Sequence, residues 1–339
     1  MLTTLIDGLL ELSIVGSFSR AGIMARRRLF AWTDPPAEAL RGRTVLVTGP
    51  TSGLGRAAAE ALAALGARLV LVGRDAAKLD ALSEDLAASV GENRFATVVA
   101  DMSSLDSVRA AVARVIATEQ RLDVVIDNAG AIFETRTESE DGIEATFATM
   151  VVGPFALISG LLPLLRRTGG ARVVAVTSGG MYAQPLDLDD LAWERRPWSG
   201  PRAYAQAKRA QVALVREWAA RVPAGTVTFN AMHPGWADTP GIGAALPGFS
   251  RVMGPLLRTP AEGVDTTVWL AADPAVAGRS GSLFLDRRPR PFDRAPMTRV
   301  SSADRRRLWD VVAGLAGVDD PAARPANQRA TNTTNGARP

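Results

Sequence analysis

Residues 44–62, TVLVTGPTSGLGRAAAEAL, restrict the possible folds more than any other stretch of the chain. Thr44 to Thr48 is a β-branched run of the kind that forms a buried parallel strand, and the Ala/Leu-rich sequence from Arg56 onward favours helix. Glycines separate the two. Gly49 permits a tight turn out of the strand, Gly53 lets a phosphate approach the backbone with no Cβ in the way, and Gly55 lets the helix sit close on the sheet. A pyrophosphate would then face free N–H groups at a helix N-terminus, with the macrodipole behind them. Gly49, Thr51, Ser52, Gly53, Leu54 and Gly55 are the candidate ligands in this turn. The spacing Gly-x-x-x-Gly-x-Gly is wider than the dinucleotide fingerprint G-x-G-x-x-G, so the reading depends on the remainder of the chain.

From residue 68 onward the chain alternates strand and helix. Strands are expected at 68–72, 95–99, 124–126, 172–177 and 226–232, and helices at 75–88, 104–118, 142–166 and 204–220. That alternation predicts an α/β fold, a doubly wound Rossmann-type parallel sheet in a single domain over 37–318. Ahead of it, Leu2, Leu5, Ile6, Leu9 and Leu10 recur at helical spacing over 2–15, which predicts an N-terminal amphipathic helix. Asp7 and Glu11 interrupt the apolar run too early for a membrane span, and no basic stretch precedes it as in a secretory signal. With Arg26, Arg27 and Arg28 followed by Leu29, Phe30 and Trp32, residues 1–33 suit peripheral contact with an anionic membrane surface; packing on the domain, or on a second copy in a homo-oligomer, suits them as well. Asp34-Pro35-Pro36 ends this 1–36 extension as a stiff linker. Residues 319–339 have little to bury and are expected to form a disordered tail.

Charge and composition narrow the chemistry. The 39 Lys and Arg residues against 35 Asp and Glu are scattered apart from local arginine clusters, which gives no nucleic-acid footprint. The absence of cysteine excludes disulfides and thiolate catalysis, and a single histidine, His233, argues against a histidine-built metal site or a Ser/His/Asp triad, so no metal is expected. The location expected is cytoplasmic, in part at a membrane surface.

In an open parallel sheet the ligand lies outside the carboxyl ends of the strands. After the second strand stands Arg74, where an NAD-selective site would carry an acidic residue; a guanidinium there suits the 2′-phosphate of NADP. Asp101 and Met102 follow the third strand, where the carboxylate could reach an adenine amino group or cap the next helix. Asn128, Ala129 and Gly130 end the fourth with small residues where a cofactor backbone would pass. Ser178 follows the fifth, and Tyr204 and Lys208 share one helical face at i and i+4. An ammonium beside a phenol stabilises the phenolate, bringing a group of pKa ~10 towards useful acid/base strength.

Taken together, TGPTSGLG, ADMSSLDSV, DNAG, VVAVTSGG, YAQAK and MHPGWADTP resemble a short-chain dehydrogenase/reductase of the retinol-dehydrogenase-like group, and more narrowly the member-twelve-like branch of the dehydrogenase/reductases. The resemblance implies an NADP-dependent oxidoreductase that moves a hydride between nicotinamide and a small carbonyl or alcohol substrate. By it Tyr204 is the general acid/base, Lys208 binds the nicotinamide ribose and lowers the Tyr204 pKa, and Ser178 orients the substrate oxygen. Pro234, Gly235 and Thr239 would lie against the nicotinamide end. Apolar Met181, Trp193, Trp198, Trp236, Leu246 and Phe249 in the covering loops suggest a lipophilic substrate, unless they pack the loops on themselves. One position departs from the family pattern: Met150 stands where an asparagine supports a helix kink and a proton relay. Pro154, four residues on, has no N–H to return to the Met150 carbonyl and would supply the kink. The alternative reading, resting on Met150, is a catalytically weak NADP-binding regulatory or scaffolding protein.

Overall fold

The computed structural model describes residues 2–92, 94–239, 248, 251, 253–319 and 321–322. Leu246, Phe249 and nearly all of the 319–339 tail lie outside the described residues. The strands are β1 (Thr44–Thr48), β2 (Arg68–Gly73), β3 (Phe95–Val99), β4 (Val124–Asp127), β5 (Ala171–Val176), β6 (Val227–Met232), β7 (Ser282–Leu285) and β8 (Arg288–Arg290). They form one sheet in the order β3-β2-β1-β4-β5-β6-β7-β8, parallel except for β8. β1 and β4 are buried along their whole length because helices cover both faces. The strand order reverses between β1 and β4, which places the ligand crevice at their carboxyl ends.

The helices are α1 (Leu2–Leu12), α2 (Ile14–Phe18), α3 (Arg20–Leu29), α4 (Gly53–Ala64), α5 (Ala76–Val90), α6 (Leu105–Thr118), α7 (Ala145–Phe147), α8 (Gly153–Thr168), α9 (Gly200–Arg221), α10 (Pro260–Ala272) and α11 (Ser302–Ala316). α4, α5 and α10 cover one face; α6, α8, α9 and α11 cover the other, where Trp218 stacks on Phe229 and meets Trp309 edge-on. The long helix expected at 142–166 runs over Ala145–Thr168. It is apolar enough to cross a membrane by composition, but most of it is buried in the core. The break expected from Pro154 takes the form of a π turn across Ala148–Val152, where the Gly153 N–H donates to the Ala148 carbonyl. β7, β8, α10 and α11 lie beyond the elements expected from the sequence.

Of the arrangements open to the N-terminal segment, the structure has it packed on the domain, with its charged side inward. The helix at 2–15 stops at Leu12, because the Ser13 hydroxyl accepts from Gly16 N–H and caps α2 instead. Its acidic side faces inward: Asp7 pairs with Arg26 and Arg290, and Glu11 with Arg26 and Arg294. Leu5, Leu9 and Leu12 are left facing outward, Leu12 at 83% exposure. Arg26, suited by sequence to a membrane surface or to packing on the domain, is fully buried, and Arg27 pairs with Asp34.

Asp286 holds this arrangement to the domain. Its carboxylate takes both Arg258 (2.6 and 2.9 Å) and Arg26 (2.7 Å), all fully buried. Asp286 and Arg287 form the two-residue β7–β8 turn with φ of 54° and 55°, a conformation usually filled by Asn, Asp or Gly. Arg287 is kept there by Asp265, the Thr33 carbonyl and the Trp32 ring. Asp286→Asn retains a residue tolerant of the turn but removes the charge shared by two buried guanidiniums. Denaturant unfolding should show a loss of about 3 kcal/mol or more, since breaking a buried ion pair leaves an uncompensated charge; a loss below about 1 kcal/mol would mean that Asp7 and Glu11 neutralise the cluster without it.

Candidate active site

The turn after β1 is held by very close backbone approach. Gly49 has φ +64° and Gly53 φ +52°, the left-handed region that glycine tolerates. A Cβ on Gly55 would come within 2.0 Å of the Gly49 carbonyl oxygen and 2.6 Å of Asn128 Nδ2, so only glycine fits. Asn128 in turn donates to the Thr48 and Gly49 carbonyls, and the Thr48 hydroxyl accepts from the Asn128 and Ala129 N–H groups. At the start of α4, Ser52 is exposed and its side chain makes no cap bond, so the N–H groups of the first turn point outward beside half-buried Thr51. Leu54 turns its side chain to Gly263 on α10. This cradle fits the phosphates of a dinucleotide.

The other candidate cofactor residues divide by environment. Arg74 is exposed just after β2 and makes no ion pair among the described residues. Asp101 is half-buried and accepts from the Ser103 N–H and hydroxyl through Oδ1, while its own N–H donates to Ser107; it braces the entry to α6, whose cap is Ser104. Met102 is buried, with its carbonyl against Gly153. A Cβ on Gly130 would meet Met150 Sδ at 3.0 Å and Lys208 Nζ at 3.7 Å, so the end of this segment passes close to Lys208. Pro234 is buried, Gly235 has φ +72°, and Thr239 is half-buried at the end of the described loop.

The catalytic candidates meet at the ends of β5 and α9. The Ser178 hydroxyl accepts from the Gly180 N–H, and the half-buried Tyr204 phenol lies within its influence. The Thr177 hydroxyl donates to the Lys208 carbonyl, and Arg209 donates twice to the Met181 carbonyl, so α9 and the Ser178 loop are fixed to each other. Lys208 is buried, donating to the Val176 carbonyl (2.8 Å) and to Gln211 Oε1 (3.3 Å). Burial raises the Tyr204 phenol above its usual pKa, and the Ser178 hydroxyl pulls the other way. The lowering expected from Lys208 is therefore corrected here: the ammonium is turned to Val176 and Gln211, with Nζ 5.7 Å from the phenol ring centroid. Burial also pulls Lys208 itself down to about 8, against the raising influence of Asp127.

The expected apolar lid is largely interior structure. Met181 and Trp193 are buried, Trp193 beneath the Arg196 guanidinium, while Trp198 and Trp236 are half-buried. Phe18, which was not among the residues expected in the site, reaches it from α2. Its ring lies against Gly179, where a Cβ would come within 2.5 Å, and against His233 and Trp236; its carbonyl accepts from the Trp236 N–H. Arg258 ties the Ser17 and Ser19 carbonyls to that of Pro234. No local signal marks the contacts of residues 17–19 with these loops, since their partners are more than 150 positions away. Gln211 was legible in principle, three residues after Lys208 on the same helical face.

A family profile described as short chain dehydrogenase matches residues 43–246. Human dehydrogenase/reductase SDR family member 12 is 41% identical over 279 residues, which span 81% of this chain and 86% of that protein. Human retinol dehydrogenase 13 is 31% identical over 325 residues, 93% of this chain and 97% of its own length. Among solved structures, a Pseudomonas aeruginosa RhlG/NADP active-site complex superposes with a TM-score of 0.60 at 27% identity, covering 74% of this chain and 96% of that one. The chain therefore belongs to the short-chain dehydrogenase/reductase family of nicotinamide-dependent oxidoreductases, in its retinol-dehydrogenase-like group on the member-twelve-like branch.

Proposed function

We propose that the protein is an NADP-dependent reductase or dehydrogenase of a lipophilic carbonyl or alcohol, with Tyr204 as general acid/base. The observation that carries this reading is the fastening of the Ser178 loop to α9 by the Thr177–Lys208 and Arg209–Met181 hydrogen bonds, which brings Ser178 beside Tyr204 with Lys208 one turn further along the helix. NADPH, when bound, supplies the hydride for a carbonyl carbon. The chain does the rest: Ser178 orients the substrate oxygen, and Tyr204 gives that oxygen its proton, or takes it back in the alcohol direction. Burial keeps the phenol protonated at neutral pH, the form that donates. Lys208 would hold the nicotinamide ribose, Gly49 to Gly55 the pyrophosphate, and Arg74 the 2′-phosphate. A lipophilic substrate is favoured by half-buried Trp198 and Trp236 beside the site. The second reading, a weak NADP-binding module, rests on Met150, which is fully buried where the family amide would stand.

Turnover separates the two. NADPH oxidation with a panel of aliphatic and aromatic aldehydes and ketones should be measurable for the wild type and fall by about 10²–10⁴ in Tyr204→Phe. Wild-type turnover no faster than that of Tyr204→Phe would favour the binding module.

Cofactor choice is read from Arg74. A charge-assisted hydrogen bond contributes about 1.5–3 kcal/mol, so Arg74→Ala should weaken NADPH roughly tenfold or more and leave NADH nearly unchanged, by fluorescence titration. Equal wild-type affinity for the two cofactors would refute the assignment.

We also propose a cytoplasmic protein held peripherally at a membrane through the outward face of α1. Leu5 and Leu9 are about 60% exposed, and Leu12, Ile14 and Val15 continue the patch. Because Arg26 is buried and Arg27 is paired, the contact should be mainly apolar and only mildly salt-sensitive. The double variant Leu9→Glu/Leu12→Glu should lose most co-sedimentation with phosphatidylcholine/phosphatidylserine vesicles while keeping its thermal midpoint; undiminished co-sedimentation would remove α1 as the contact.

A further inference from the structure

Among the described residues Asp127 is the one buried acidic group beside Lys208, and the proton and hydride transfers assigned to the site leave it without a task. It is the last residue of β4, 3% exposed, and its Oδ2 accepts from Gln211 Nε2 at 2.6 Å. Gln211 accepts in turn from Lys208 Nζ through Oε1. The other carboxylate oxygen, Oδ1, is buried with no protein partner. Asp127 and Gln211 also border a cavity of about 20 Å³, with Met150 and Val151 of the π turn on its far side. That is room for about one water molecule.

As plain structure this arrangement is costly. A buried carboxylate with an unpartnered oxygen is destabilising, and an uncharged side chain of the same shape would fill the space at lower cost. Its electrostatic effect is specific. Among the described residues Lys208 is the only charged group that acts on Asp127, and Asp127 the only one that acts on Lys208. β5 presents Ala175 beside it in the sheet, the π turn presents Met150 and Val151, and α9 presents Gln211 and the neutral Tyr204.

We propose that Asp127, acting through Gln211, is a positioning residue that keeps Lys208 an oriented ammonium at the nicotinamide end of the site, on the helix face where the family amide is replaced by Met150. The proposal rests on the reading of Lys208 as the residue that holds the nicotinamide ribose. Gln211 is a suitable bridge, because its amide receives from the ammonium on one side and donates to the carboxylate on the other, so both ends favour the charged forms.

These contacts fix the sign of the pH effect. Burial moves Lys208 down to about 8 and Asp127 up to about 6, so both groups are charged between those values. Above about 8 the ammonium is lost. Removing the carboxylate charge removes the charge that raises Lys208, so its titration must move to lower pH. Loss of the Gln211 bridge acts in the same direction, since the hydrogen bond favours the ammonium.

The chain makes the measurement direct, because it contains two lysines, Lys78 and Lys208. Full-length protein carrying ¹³C-labelled lysine, with Lys78→Arg used for assignment, gives a Cε resonance for Lys208 that can be followed across its titration. Asp127→Asn is expected to lower the Lys208 midpoint by about one pH unit, the effect of losing a close opposite charge. Gln211→Met should lower it in the same sense with the carboxylate still present, and the alkaline limb of kcat/KM for aldehyde reduction should move with the midpoint. A Lys208 midpoint unchanged in Asp127→Asn would overturn the proposal and leave Asp127 a packing residue; a lower thermal midpoint alone, without the shift, would do the same. The resonance reports on Asp127 whether or not any carbonyl is turned over, so failure of the oxidoreductase assay and failure of this inference are separate results.

Discussion

The crossing of three backbones at the carboxyl end of β1 is the constraint on which the rest of the site depends. The Gly49 carbonyl, the Gly55 Cα and the Asn128 amide share a space in which no added carbon fits. Because Asn128 donates to Thr48 and Gly49 while Thr48 accepts from Asn128 and Ala129, β1, the glycine turn and the end of β4 are set relative to one another by hydrogen bonds rather than by apolar packing alone. α4 can then lie close on the sheet with its N-terminus open to the crevice. The same fixed geometry carries Gly130 over Met150 and Lys208.

Electrostatics supplies a second constraint, far from the first in sequence. Charged groups of α1 and α3 are turned into the protein, where Asp7, Glu11 and Asp286 pair with Arg26, Arg258, Arg290 and Arg294. An arginine stripped of water requires several acceptors, and Arg26 obtains them from two carboxylates of α1, one of the β7–β8 turn and the Ser17 carbonyl. The cluster therefore draws the N-terminal segment onto the loops after β5 and β6. Gly179 and Gly235 have no side chain at the points where Phe18 arrives, which is why an element outside the matched family region can form part of the site's wall.

On the other side of the site a helix is deformed rather than braced. The π turn before Pro154 widens the coil next to the β4 and β5 strand ends, and Met150 fills the position with a flexible apolar side chain. The polar work in this region is carried by α9 and β4 through Lys208, Gln211 and Asp127. Because both side chains are buried, the charges of Lys208 and Asp127 depend on each other.

The sequence by itself determined the first six parallel strands, the glycine cradle and the family, because each depends on local signals: β-branched runs, glycines at a turn, and Tyr204 and Lys208 one helical turn apart. The strand ends that carry Ser178 and Asn128 were legible for the same reason, since period and punctuation decide where a strand stops. Tertiary structure alone decided which side of α1 faces the protein. Helical periodicity identifies two faces and ordinarily assigns the apolar one inward, but here buried arginines outcompete leucines for that position, and those arginines come from residues 26 to 294. It also decided that Met181 and Trp193 belong to the interior rather than to a lid, and that Asp127 faces a lysine. A side chain's partner across parallel strands and a covering helix depends on register and packing, and neither is encoded within a few residues of the group itself.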